Sequence, residues 1–220
     1  MQFYRLMCPV LDKPSLSADF PVECLTICCF LASVNLVYSD DRENDGKFLY
    51  FAYGSNLLAR RLHIDNPSAV FYGTAKLEGH RLDFNVYSDL WNGAAATIVE
   101  DPGEIVWGDL WLLDLSNLKS LDDQEGVNDE FYFVKNVTVQ MPSGNSIVAR
   151  TYEEVLTPSK LQQGEERPFD RTPSNTYLEV IINGAIESKL PSDYITFLRS
   201  FPTNGKIATE KILKQLGYQV

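Results

Sequence analysis

Two short stretches hold residue types that can do chemistry. Gly54-Ser55-Asn56 joins a residue free to turn to two small polar ones, the set that breaks a strand and caps a helix. A turn of this kind presents unpaired backbone N–H groups at the positive end of a helix, where a carboxylate or phosphate can sit. Capping with no ligand uses the same residues. The stretch lacks the lysine and spacing of a P-loop and the later glycines of a dinucleotide fingerprint, which argues against a nucleotide. The second stretch, Asp122-Asp123-Gln124-Glu125-Gly126, is the most concentrated group of carboxylates ahead of a strand. Carboxylates there can transfer protons, or can lie solvated at a helix end.

Other chemistries lack carriers. All four cysteines, Cys8, Cys24, Cys28 and Cys29, fall in the first 29 residues, and there is no Gly-x-Ser-x-Gly, so acyl-enzyme formation has no obvious nucleophile. The cysteine spacing matches no zinc pattern, and His63 and His80 lie far apart and read as surface or packing residues. No metal and no cofactor are expected. A cysteine-free remainder also means no disulfide framework, which suits a reducing cytosol.

The elements that must position these residues follow from pattern. Phe48 to Tyr53 is a run of bulky β-favouring residues that leads into the glycine turn, and Leu57, Leu58, Leu62 and Ile64 then recur at helical spacing. Ala69–Leu77 and His80–Val86 alternate as a pair of strands, and Ala94–Glu100 and Ile105–Leu113 as a hairpin about Asp101-Pro102-Gly103. Ser116–Glu125 reads as a short helix stopped by Gly126. Phe131–Val139 and Ile147–Tyr152 form another hairpin about Pro142-Ser143-Gly144-Asn145, which places Asn136-Val137-Thr138 inside a strand. Residues 157–176 are polar and proline-bearing, a mobile flap or irregular excursion. Helices over Tyr177–Ile186, Ser192–Ser200 with Ser192 as N-cap, and Ala208–Leu216 close the chain. So many strands with short turns must close or expose long edges, so the expected fold is α+β: a small closed, mostly antiparallel β-barrel with flanking helices.

The chain has 220 residues, 45% of them hydrophobic, enough for one domain with a real core. Residues 1–47 differ, with the cysteines, early prolines and an interrupted apolar run from Val22 to Tyr38 that is too short for a membrane helix. They read as a loosely ordered extension and linker ahead of a domain over 48–220. A formal net charge of −11 argues against nucleic acid or an anionic membrane as partner.

Taken together, Tyr53-Gly54-Ser55-Asn56-Leu57, Trp107-Gly108 and Leu121-Asp122-Asp123-Gln124-Glu125-Gly126-Val127 resemble the γ-glutamylcyclotransferases, as do Asn66-Pro67-Ser68-Ala69, Leu82-Asp83-Phe84 and Ala96-Thr97-Ile98. The resemblance covers most of the chain from Phe48 onward. It implies conversion of a γ-glutamyl amino acid into 5-oxoproline and a free amino acid on a small closed barrel, with no cofactor, in the cytoplasm, and with pairing into a homodimer possible. It also implies Glu125 as the catalytic acid/base, the turn Tyr53, Gly54, Ser55 and Asn56 as the substrate-holding segment, and Tyr132, Tyr152 and Tyr177 beside the pocket. The partner implied is a small γ-glutamyl peptide. Related enzymes act on glutathione or γ-glutamylamines, but their turn generally lacks the Ser-Asn-Leu ending, which favours the dipeptide-cleaving branch. A barrel that binds without turnover is the other class of reading, and retention of the turn together with Glu125 speaks against it.

The chemistry that the resemblance implies sets a demand on position 125. An unperturbed glutamate near pKa ~4.3 facing an α-amine near ~7.7 is a poor base by about 3.4 units, or ~4.6 kcal/mol. Burial among the barrel's tyrosines and phenylalanines would raise the carboxyl and narrow that gap. The turn at Gly54–Asn56 would then hold the glutamyl α-carboxylate or the developing oxyanion.

Overall fold

The computed structural model describes residues 46–162 and 164–219. The expectations for the cysteines and for most of the 1–47 extension lie outside the described residues. Five strands form the barrel: β1 (Lys47–Ala52), β2 (Val70–Ser88), β3 (Gly93–Asp114), β4 (Tyr132–Gln140) and β5 (Ser146–Glu154). Their order around the barrel is β1-β3-β2-β4-β5, closed where β5 returns to β1. The β1–β5 pairing is parallel and every other one is antiparallel. Side chains reinforce this closing seam: Thr151 Oγ1 donates to the Phe51 carbonyl at 2.8 Å, and Tyr53 Oη donates to the Tyr152 carbonyl at 2.6 Å. The β2–β4 and β1–β5 seams each rest on one register pair, Lys76–Gln140 and Tyr50–Arg150, which closes the barrel with few ladder bonds there.

The long strands differ from expectation. Residues 69–77 and 80–86 do not pair with each other. They are successive parts of β2, and both pair with β3, which likewise runs unbroken through Asp101-Pro102-Gly103. Gly79 (φ +72°) and Gly103 (φ +96°) sit where the β2–β3 register shifts between Glu78 and His80. The left-handed glycines therefore serve a bulge, which bends a strand without reversing it. The reversal lies at Asp89–Asn92, where Asn92 has φ +53° ahead of Gly93. Asn92, one of the residue types that tolerate the left-handed region, closes this four-residue loop, and Gly93 is already the first residue of β3, paired with Ser88.

The barrel interior is filled by alternate strand residues such as Phe51, Leu77, Phe84, Ile98, Leu110 and Val139, all buried. Helix α3 (Asn175–Glu187) adds Leu178, Val180, Ile181 and Ala185 to this core. Its N-cap is Ser174, whose side chain accepts the Tyr177 N–H at 3.2 Å. A second cluster joins Tyr50 and Trp111, which face each other across β1 and β3, to Leu62 of α1 (Ala59–Leu62) and Leu121 of α2 (Leu118–Gln124). Helices α4 (Ser192–Arg199) and α5 (Glu210–Gln215) finish the chain. Ser192 is not a cap: Pro191 holds that extended position, and no side chain caps the helix. The final helix starts later than Ala208, whose N–H is taken by Thr176 Oγ1 at 3.1 Å.

The polar segment after β5 is an anchored excursion, not a free flap. Arg81, Arg167 and Arg171 converge on the buried Asp83 at 3.2, 2.7 and 3.1 Å. Arg171 also donates to the Ser159 carbonyl at 2.9 Å, so one carboxylate of β2 ties down both ends of the segment. Breaking such a pair strands buried charge, which is far costlier than losing a surface ion pair.

The turn after β1 is fixed from behind by α3. A Cβ on Gly184 would lie 2.4 Å from both the Leu57 carbonyl carbon and the Leu58 nitrogen. Backbone cannot yield as a side-chain tip can, so Gly184→Ala is expected to destabilise the protein by about 1–3 kcal/mol. Thermal unfolding should show this as a fall in Tm of about 2–4 °C per kcal/mol for a chain of this size. An unchanged Tm would mean that the contact is slack.

Candidate active site

Glu125 owes its position to the way α2 ends. Gly126 takes φ +65°, its N–H donates to the Asp123 carbonyl at 3.2 Å, and the Val127 N–H donates to the Asp122 carbonyl at 3.0 Å. This Schellman pairing fixes Glu125 as the C-cap residue. The three carboxylates of the stretch then part company. Asp123 lies at the surface with Lys119 and Asn128. Asp122 pairs with Arg150 and accepts the Tyr152 hydroxyl. Only Glu125 enters the space beside the β1 turn.

There Glu125 Oε1 accepts the Asn56 side-chain amide at 2.9 Å and the Tyr50 hydroxyl at 3.3 Å. The same Asn56 amide reaches Tyr50 Oη at 3.1 Å. Asn56 is 2% exposed, and its orientation is set from behind. Its Oδ1 accepts from Gln124 Nε2 at 2.9 Å, Gln124 Oε1 from Asn66 Nδ2 at 3.0 Å, and Asn66 Oδ1 from Ser120 Oγ at 2.9 Å. An ionised carboxylate only accepts, so the Asn56 nitrogen points at Glu125, and the chain behind it is satisfied in that sense.

Burial drives the electrostatics. The Glu125 carboxyl is pushed up to about 7, chiefly because protein surrounds it on all sides although its surface still opens on a cleft. The Arg61 charge and the bonds from Tyr50 and Asn56 oppose that rise, while Asp122 adds to it. Tyr50, Tyr53, Tyr132 and Tyr177 are held in the neutral form, again chiefly by burial.

Glu125, Tyr53, Gly54, Ser55, Asn56, Tyr132, Tyr152 and Tyr177 all line one small cavity, together with Tyr50 and Ala96. Most of the hydroxyls are already committed. Tyr53 donates to the Tyr152 carbonyl, Tyr152 to Asp122, and Tyr132 to the Ala96 carbonyl at 2.7 Å. Tyr177 Oη instead accepts the Ala96 N–H at 3.1 Å, and its own hydrogen goes to no protein group among the described residues. A Cβ on Gly54 would stand 3.4 Å from that hydroxyl, so glycine keeps the approach open. Through Ser55, Glu125, Tyr132 and Tyr177 the cavity continues into an outer cleft of about 380 Å³. The Asp89–Trp91 hairpin tip forms one wall of the cleft.

Three residues that sequence reasoning passed over belong here. Tyr50 looked like one more strand aromatic. Arg61, 8% exposed, lines the cleft with its Nε unpaired; its Nη1 meets Asp65 at 3.3 Å. Glu154, fully buried at the end of β5, accepts the Val86 N–H at 3.2 Å, and its Oε1 lies 3.3 Å from the Tyr132 hydroxyl oxygen, whose hydrogen goes to Ala96. Burial raises it to about 7 as well. Strand alternation held a clue to Glu154, since adjacent residues face opposite sides and Glu153-Glu154 cannot both face water. No local signal marked Arg61.

Residues 105–198 match the AIG2-like family. The chain is 44% identical over 184 residues to a γ-glutamylcyclotransferase of Bos taurus, covering 80% of this chain and 92% of that one. It is 40% identical over 174 residues to the γ-glutamylcyclotransferase of Homo sapiens, covering 76% and 87%. A solved structure described as a γ-glutamyl cyclotransferase superposes with a TM-score of 0.68 at 39% identity, covering 78% of this chain and 98% of the other. With a shared barrel, long co-linear coverage and identities of this size, the chain belongs to the γ-glutamylcyclotransferase family.

Proposed function

We propose that the protein converts γ-glutamyl amino acids into 5-oxoproline and a free amino acid, with Glu125 as proton carrier. The observation that carries this reading is a single carboxyl, raised to about 7 by burial, at the mouth of a tyrosine-lined cavity. The relatives at 40–44% identity bear the name of that activity.

The substrate's α-nitrogen attacks its own γ-carbonyl carbon, which closes a five-membered lactam and breaks the bond to the acceptor amino acid. Glu125 takes the proton that the α-amine loses and returns it to the departing amine, so no water is consumed. A carboxyl raised by burial is closer in proton affinity to the amine that it must deprotonate than an ordinary carboxylate is. Ring closure within one molecule replaces a bimolecular encounter, and a cavity that folds the glutamyl chain gains from this directly. Asn56 and Tyr50 orient the base through its Oε1, which leaves Oε2 for the amine. The backbone of Gly54–Ser55 and the uncommitted Tyr177 hydroxyl are placed to meet the carbonyl oxygen as charge builds on it. Arg61 supplies the positive charge of the cleft, the natural partner of the α-carboxylate. At about 380 Å³ the cleft lies within the range of small-molecule sites, and its outer part would take the acceptor side chain.

A cytosolic location is proposed with this activity, in keeping with the cysteine-free chain beyond residue 29. No helix among the described residues is long and apolar enough to cross a membrane. Pairing as a homodimer is proposed on the family resemblance.

The direct test is to incubate the protein with γ-glutamyl-alanine, glutathione and γ-glutamyl-lysine and to measure 5-oxoproline. Release from the first is expected; release from glutathione alone would move the protein to another branch, and release from none would favour a binding role. Glu125→Gln should lower kcat by about 10²–10⁴ with ligand binding retained. In the wild type, kcat/KM should rise with pH and level off above about 7, as the carboxyl loses its proton. Arg61→Met should raise KM about 10–100-fold, the loss of one charged hydrogen-bonding partner. Stability carries the opposite sign to activity. A carboxyl raised on folding holds its proton longer in the native state, so its cost is absent below its unfolded pKa near ~4.3 and complete above about 7. Glu125→Gln should therefore have a higher Tm than wild type at pH 8 and an equal one near pH 4.

A further inference from the structure

Away from the catalytic cleft, Asp109 is a polar group with nothing to bind. It is 0% exposed, and among the described residues neither carboxyl oxygen meets a partner in hydrogen-bonding geometry; the Ser188 hydroxyl lies near enough to favour the ionised form without completing a bond. Its place in the sheet explains the burial: it pairs with Ala52 on β1 and with Thr74 on β2 in the middle of the barrel wall. Two residues on, the Trp111 indole N–H is also buried and unpaired. Ser188 gives its hydrogen to the Gly184 carbonyl at 3.0 Å instead. An unpaired buried carboxyl costs far more than a hydrophobic side chain in the same place.

Asp109 and Trp111 both line a pocket of about 600 Å³ that shares no residue with the catalytic cleft or its inner cavity. The remaining wall is largely apolar, with Leu57, Ala69, Val70 and Phe71, and the Phe71 ring meets the Trp111 indole edge-on at 5.5 Å. The charged groups facing the space are His63 from the end of α1 and Glu187 and Lys189 from the end of α3. No cation of the described chain reaches the Asp109 carboxyl.

We propose that this pocket is a second ligand site, and that Asp109 receives the ammonium group of a small molecule with an apolar body. An ammonium supplies up to three donors to an acceptor-only carboxylate, and the indole and phenyl rings suit both the cation and its hydrocarbon part. Burial pushes Asp109 up to about 8, with Glu187 adding to the rise and Ser188 opposing it, so the empty pocket holds a neutral carboxyl near pH 7. Entry of an ammonium displaces that proton. Two sources share this chemistry: a simple aliphatic amine, and a free amino acid with an apolar side chain, whose carboxylate could take the Trp111 N–H.

Isothermal titration of the intact protein with 3-methylbutylamine, L-leucine and 4-methylpentanoic acid tests the proposal, because the three share one hydrocarbon skeleton. The amine is expected to bind, with at least a tenfold loss of affinity in Asp109→Asn and no loss in Glu125→Gln. The acid is expected not to bind. Binding of leucine as well would identify the free amino acid as the source; binding of the amine alone would identify a simple amine. Asp109→Val should fold with a Tm above that of wild type and bind none of the three. Absence of amine binding to the wild type, or equal affinity in Asp109→Asn, would overturn the site.

Discussion

A carboxyl group kept away from bulk water is the constraint around which this structure is arranged. Burial raises the Glu125 carboxyl to about 7, and two donors, Asn56 and Tyr50, partly replace the water it has lost and favour its ionised form. Both donors approach the same oxygen. The result is a carboxyl whose affinity for a proton comes from its surroundings and whose direction comes from hydrogen bonds. Neither would survive if β1 and α2 were free to shift.

Most of the architecture serves that juxtaposition. The Schellman ending of α2 delivers Glu125, and the turn after β1 delivers Asn56. The amide chain from Ser120 through Asn66 and Gln124 joins the two elements by their polar groups. From the other side, α3 leans its Gly184 on the backbone of the turn and brings Tyr177 to the cavity. The excursion after β5 is fixed to the barrel through Asp83, which restrains the approach to α3. Tyr132 completes the wall, and behind it Glu154, which lines neither cavity, is another carboxyl raised by burial.

What could be read from the sequence divides along physical lines. Local rules worked where one interaction dominates: Gly126 ends α2, Gly54 breaks β1, and Pro142-Ser143-Gly144-Asn145 turns a hairpin. They failed where two local signals competed. Asp101-Pro102-Gly103 and Gly79 look like turns, but the strands carry on through them as a bulge, and the reversal falls at Asp89–Asn92. Ser192 has the right chemistry for a cap, yet Pro191 occupies the extended position. Partnership across long sequence distance leaves no local trace. Nothing near Tyr50 or Arg61 marks either as a neighbour of position 125, and nothing near Asp109 says that a residue of the Trp-Gly-Asp stretch is buried without a partner. The residues that the family resemblance implies, Glu125 and the turn from Tyr53 to Asn56 among them, line one cavity that pattern alone did not assemble.

The most direct measurement is a carboxyl-¹³C NMR titration of the protein labelled at glutamate, with the Glu125 signal assigned by its absence from Glu125→Gln. The account predicts a midpoint near 7 for that signal, set apart from the surface glutamates. A midpoint in the ordinary range near ~4.3 would mean that water reaches the carboxyl freely, and would contradict the account at its base.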